Sequence, residues 1–312
     1  VPSILDIKAR ITAVENIKKL TRAMQLVAAA KFKRSEERAR TTRPYSEELD
    51  GILSILAGLS LDQDESGAAD ATFELSFGEG ERPIQVDADK FFEQPDEPEP
   101  KRPGLVLITS DRGLCGAFNT RLIRAALEFE KEHPEMDVQF IPIGRKGRAF
   151  FKARHIPVLH YEEGLSDKLD LEEIKRITTK LVDLYVSGEV DALYLVFAEF
   201  KSAMVSTVRV DKFLSIPRVE VDEERRHDDY ILEPDPKAAY ETLLPLYATT
   251  KIFATLADSF ASEYGARMTA MQLATKNAEE LLDALVILRN RMRQTTITTQ
   301  LTEIVGGAEA LK

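Results

Sequence analysis

A single cysteine, Cys115, among 312 residues leaves no partner for an intrachain disulfide and excludes a multi-cysteine zinc site. It fits a reducing compartment. The four histidines (His133, His155, His160 and His227) show no HExxH or other tight ligand spacing. Metal catalysis therefore has no support, and no catalytic residue, metal ligand or cofactor is expected. No apolar run approaches the roughly 20 residues needed to cross a bilayer. The first residues also lack the basic-then-apolar pattern of a secretory signal. Membrane association, if present, is expected to come through partners.

Apolar residues make up 44% of the chain and charged residues 30%, so a core can be buried. The net charge of −11 is unevenly spread. Residues 62 to 100 carry 13 acidic side chains against Arg82 and Lys90, a local balance of −11 that leaves the remainder neutral. Residues 1 to 43 carry 11 basic side chains against four acidic ones. That basic start could contact nucleic acid, but its cations surround an apolar stripe with no aromatic interleaving beyond Phe32. An electrostatic track for acidic groups on a protein partner is the sharper expectation.

Five segments are expected. Residues 1–61 form an N-terminal helix, because Ile4, Ile7, Ile11, Val14, Ile17, Leu20, Met24 and Val27 recur every three or four positions. Ser3 and Asp6 read as a capping box, and Pro44 as a kink. Residues 62–103 form an acidic insertion with a hairpin from TFELSF and PIQVD. Residues 104–220 alternate strands and helices, which implies a compact, Rossmann-like α/β domain with a largely parallel sheet. Residues 221–235 form a linker. Residues 236–312 form a second long helix, started by Asp235-Pro236 and stopped at Gly306-Gly307, about 70 residues or about 105 Å long. The fold class is α/β with a long antiparallel coiled coil of N- and C-terminal helices.

The second helix places Met271, Ala274, Ala278, Leu281, Leu285, Leu288 and Met292 at the 3,4 spacing of a coiled-coil seam, with the first helix as partner. The spacing continues into Thr295 and Thr299, and residues 294–302 carry no charge. A tip that kept a leucine seam would still have a helical partner; this one has outrun it. SDRGLCGAFNT, residues 110–120, lies between a strand and a helix, where α/β proteins hold phosphates. Yet neither GxGxxG nor GxxxxGK[ST] is present, so a demanding turn or a partner contact is the better reading.

Several stretches, taken in order, resemble one family: LTRAMQLVAAAKFKRS, the following RPY, SDRGLCGAFN, YILEPDPKA, ARMTAMQLATKNA and RQTTITTQLTEIVGGAEAL. They look like the gamma subunit of rotary F-type ATP synthase. The resemblance implies a noncatalytic central stalk whose C-terminal tip lies inside a ring of alpha and beta subunits. It places the α/β domain against the epsilon subunit and the membrane c-subunit ring. Proton flow through the membrane sector would then be coupled to ATP synthesis or hydrolysis in the ring. It also implies a peripheral membrane protein on the cytoplasmic face of the bacterial inner membrane, with no nucleic acid partner.

Carried over residue by residue, the resemblance makes Met24, Lys31 and Arg34 candidates to meet the beta subunit along the shaft. Arg293, Gln294 and Thr298 are candidates for a hydrogen-bonding catch at the tip. Chloroplast members carry a regulatory cysteine pair in an insertion elsewhere in the chain; the lone Cys115 in SDRGLCG gives thiol switching no support. The alternatives are an independent nucleotide-binding α/β enzyme and a non-rotary coiled-coil scaffold.

Overall fold

The structure, a computed structural model, describes residues 3–61, 72–77, 83–92, 99–165, 169–216 and 236–310. The expected linker 221–235, the Asp235 cap and much of the acidic stretch lie outside them. The chain gathers into two compact units, residues 1–30 with 267–312, and residues 31–266. Two helices contribute to both: α1 (Ile4–Leu61) and α6 (Pro236–Ala310, 75 residues). The helical state continues through Pro44, Pro245 and Gly306-Gly307. Each glycine costs only about 1 kcal/mol relative to alanine, too little to stop a helix flanked by good formers.

In the first unit α1 and α6 pack antiparallel. Ile7 and Ile11 meet Leu285, Lys18 pairs with Glu279, and Thr21 bonds to Thr275, so partner numbers fall along α6 as they rise along α1. Ser3 and Asp6 form the expected reciprocal box: Ser3 N–H donates to Asp6 Oδ2 at 2.9 Å and Asp6 N–H to Ser3 Oγ at 3.2 Å. The backbone and hydroxyl donors of Ser3 hold the Asp6 carboxyl below its ordinary value.

The seam differs in phase from the sequence reading. Met271, Thr275, Ala278, Leu282, Leu285 and Met292 turn toward α1, whereas Leu281 and Leu288 stand 49% and 39% exposed. On α1 the inward positions after Val14 include Lys18, Thr21, Met24 and Ala28, while Ile17, Leu20 and Val27 face outward. Adjacent apolar pairs such as Leu281-Leu282 satisfy either phase. A polar pair decides it: Thr275 Oγ1 donates to Thr21 Oγ1 at 2.8 Å inside the seam, the kind of buried polar contact that fixes register.

The second unit is built on a four-stranded sheet ordered β4-β3-β5-β6, from β3 (Pro103–Ile108), β4 (Gln139–Ile143), β5 (Ala192–Phe200) and β6 (Ser206–Leu214). β3 pairs parallel with β4 and β5, and β6 pairs antiparallel with β5. Every residue of β3 is buried, the mark of a strand covered on both faces. Alternation splits it: Leu105 and Leu107 join α3 (Phe118–Glu132) and α4 (Arg145–Arg154), and Val106 and Ile108 join α5 (Leu171–Val186), α1 and α6. Burying each such side chain contributes about 1.5–3 kcal/mol.

Residues 159–162 lie beside the outer edge of β4, a feature without a sequence signal. Leu159 N–H donates to the Phe140 carbonyl, Glu162 N–H to that of Pro142, and Gly144 N–H to that of Glu162. The carboxylate of Glu162 is held by Arg176 and His160. Burial pushes its pKa up, but the hydrogen bonds and charges of Arg176 and His160 outweigh this and leave it below the ordinary carboxylate value. A small hairpin, β1 (Thr72–Leu75) with β2 (Ile84–Asp87), is antiparallel as expected. The short helix α2 (Ala88–Phe91) follows it and packs Phe91 on Tyr185, whose hydroxyl donates to the Lys90 carbonyl.

Candidate functional site: the helical shaft and its tip

The positions where an α/β sheet takes a ligand are filled by this chain's own groups. The strand order reverses between β3 and β5, and the carboxyl ends of strands at such a point are the usual binding crevice. β3 pairs with β5 only as far as Leu107↔Val196. Beyond it, Ser259 and Ser262 of α6 occupy the open edge: Ala198 N–H donates to Ser259 Oγ at 3.2 Å, and Ser262 Oγ donates to the Ala198 carbonyl at 3.1 Å.

The N-terminus of α4 is equally taken. Asp111 of the SDRGLCG loop accepts from Arg145 N–H and Gly164 N–H, both at 2.9 Å, while Lys146 N–H donates to the Ser110 carbonyl and Gly147 N–H to Thr109 Oγ1. The carboxylate stands where an anionic ligand would bind. Gly144 makes the approach, with φ of 103° and Thr109 O only 2.1 Å from where a Cβ would lie. Cys115 is buried, with Asn119 Nδ2 3.2 Å from its sulfur. The segment is a demanding turn. No cluster of three or more His, Cys, Asp or Glu suited to a metal occurs among the described residues. An open groove of about 430 Å³ between α1, α5 and α6 is largely apolar, lined by Tyr45, Leu171, Pro245, Leu246 and Phe253 with Lys175 as its charged residue.

The surface of the helix pair is more informative. Ile17, Leu20, Leu26 and Val27 of α1 and Leu273, Leu281, Ile287 and Leu288 of α6 are all exposed. Large aliphatics thus stand on the outer faces of both helices, the kind of surface that suits a protein partner. From Arg293 to Ala308 every side chain of α6 is exposed, because α1 begins at Ile4 and its first contacts reach Leu285 and Met292. From there to its end, the unpartnered helix extends about 27 Å.

Its threonines are used locally. Thr295, Thr296, Thr298 and Thr302 each donate Oγ1 to the carbonyl four residues back, at 2.9 to 3.2 Å. Such back-bonding makes threonine tolerable in a helix. With its hydrogen donated inward, each hydroxyl presents lone pairs and a methyl group outward. Ile297, Leu301, Ile304 and Val305 add an apolar stripe at helical spacing, with Ile304 68% exposed.

The six candidate contact residues divide by position. Met24 is half-buried at the seam. Lys31 is half-buried, its Nζ 5.4 Å from the Tyr264 ring centroid, while Arg34 is exposed. Arg293, Gln294 and Thr298 share the exposed tip, where Thr298 back-bonds to the Gln294 carbonyl. The outward aliphatics were missed from sequence because their spacing also fits a seam.

An antiparallel helix pair with exposed large aliphatics, and a tip that outruns its helical partner, define a coiled-coil binding subunit. The family sequence model described as ATP synthase matches residues 3–311. The chain is 39% identical to the ATP synthase gamma chain of Sorangium cellulosum, over 100% of this chain and 99% of that one. It is likewise 39% identical to that of Desulfitobacterium hafniense, over 98% of each. The chain belongs to the ATP synthase gamma chain family and serves as a central-stalk subunit of that complex.

Solved structures share the fold. A chain of the Euglena gracilis mitochondrial ATP synthase aligns with a TM-score of 0.63 at 16% identity, covering 99% of this chain and 94% of that one. A chain of the Tetrahymena thermophila central stalk and c-ring aligns at 0.59 and 22% identity, covering 82% and 99%.

Proposed function

We propose that this chain is the turning shaft itself, noncatalytic, coupling proton flow through a c-subunit ring to ATP synthesis or hydrolysis in a ring of alpha and beta subunits. The observation that carries this is the unpartnered tip. Residues 293–308 are each exposed to solvent, carry only Arg293 and Glu303 as charges, and satisfy four threonine hydroxyls internally. A surface that turns in a sleeve must avoid strong partners fixed at one angle, and this one offers few directional donors.

The same reading gives roles to the candidate contacts. Met24 lies near the contact between the helix pair and the beta subunit, Lys31 and Arg34 meet an acidic lever loop of that subunit, and Arg293, Gln294 and Thr298 form a catch at one rotary position. Among the described residues no helix is long and apolar enough to cross a membrane. Attachment is therefore proposed to run through the epsilon subunit and the c-ring, on the cytoplasmic face of the bacterial inner membrane. Removing residues 294–312 from the assembled complex tests the reading. Assembly should persist while torque and coupled activity fall; unchanged coupled activity would overturn it.

A further inference from the structure

A shaft works only if the domain that is driven and the helices that turn are joined against twisting. Apolar burial is non-directional and resists sliding poorly. Hydrogen bonds and bidentate ion pairs fix both distance and angle. The second unit concentrates such bonds in one place. From Thr255 to Gly265 the helix α6 is buried at eleven consecutive positions, so no side of it faces solvent. Five of those positions are polar or acidic: Thr255, Asp258, Ser259, Ser262 and Glu263. A helix held only by its oil would not place carboxylates and hydroxyls there.

Their partners lie on the open edge of β5. Because strand residues alternate, Ala198 and Phe200 turn their backbone groups to the same side. Ser259 and Ser262 take both backbone groups of Ala198. Arg43 of α1 takes the next: its Nη2 donates to the Phe200 carbonyl at 2.9 Å and to the two carboxylate oxygens of Asp258 at 3.1 and 2.9 Å. One guanidinium thus ties α1, β5 and α6 together. The Phe200 ring meets Phe32 of α1 edge-on at 5.7 Å.

Two turns away a second ion pair spans the helices with reversed polarity. Lys251 Nζ of α6 donates to both oxygens of Asp50 of α1, at 3.0 and 2.7 Å. Sliding α6 by seven residues would set Arg43 against Lys251. The two pairs therefore lock the helices lengthwise, and the bonds to β5 lock them about the axis.

We propose that this edge of β5 is the torsional joint of the rotor, with Arg43 as the positioning residue that transmits twist from the sheet to both helices. The inference rests on the rotor reading and concerns a place no tip contact reaches. The test uses the complete ATP synthase in sealed vesicles, with ATP hydrolysis and ATP-driven proton uptake measured on the same preparation. Arg43→Ala should leave hydrolysis within about twofold of wild type while protons pumped per ATP fall severalfold. Arg43→Lys, which keeps a cation but loses the planar guanidinium, should recover part of the ratio. Ser259→Ala with Ser262→Ala should lower it without leaving a buried charge unpaired.

An unchanged ratio in the serine variant and in Arg43→Ala would overturn the joint, as would a proportional fall of both activities in all the variants, which marks a merely structural role. A wild-type complex that hydrolyses without pumping would instead overturn the rotor reading.

Discussion

Asp111 shows how one side chain can decide between two readings of a motif. Sequence placed SDRGLCG where a phosphate could sit; the carboxylate of Asp111 takes that position and bonds to Arg145 N–H and Gly164 N–H. Asp111→Ala should cost about 1–3 kcal/mol of stability by stranding those donors, measured by denaturant unfolding. A loss near zero would show that water replaces the carboxylate freely.

Glu162 gives a pH dependence. Its folded pKa lies below the ordinary value of 4.5, so its contribution is present above that value and lost as pH falls through the folded one. The melting temperature of the wild type should fall between about pH 5 and pH 3, and that of Glu162→Gln should fall less steeply. Equal slopes would contradict the assignment. Neither role could be read from sequence, because Asp111 acts through backbone groups of distant segments and Glu162 through the His160 and Arg176 side chains that the fold turns toward it.

The strands and helices of the α/β domain were legible because composition and period agreed. GLVLIT and DALYLVFAEF are apolar runs of strand length, and AFNTRLIRAALEFEKE has one apolar face. The coiled-coil phase was not legible. The doubled aliphatic Leu281-Leu282 supports two seams equally, and the meeting of Thr21 with Thr275 separates them.

The order in which β5 pairs was also hidden, since nothing local says that α6 closes its open edge. Gly265 marks how tightly that region is built: a Cβ there would lie 2.7 Å from the Ala203 carbonyl oxygen, a backbone atom. Gly265→Ala should therefore destabilise the chain by about 1–3 kcal/mol through overpacking, despite alanine's better helix propensity. Calorimetric melting of the two proteins checks this, and a stabilised variant would contradict it.

Across the whole molecule, the long helices, the apolar outer faces and the bare tip make sense only with a sleeve. A plain scaffold would need the helix pair but not an extension satisfied within itself. A nucleotide enzyme would need an open crevice, which α6 fills. The central claim is that this chain turns inside the ring that makes or splits ATP. Cys115 is buried, so a cysteine introduced at exposed Lys152 (Lys152→Cys) on α4 offers a selective attachment point for a bead. With the alpha and beta ring fixed to a surface and ATP supplied, the bead should rotate steadily in one direction. A bead that stays still, on complexes whose ATP hydrolysis is intact, would contradict the account.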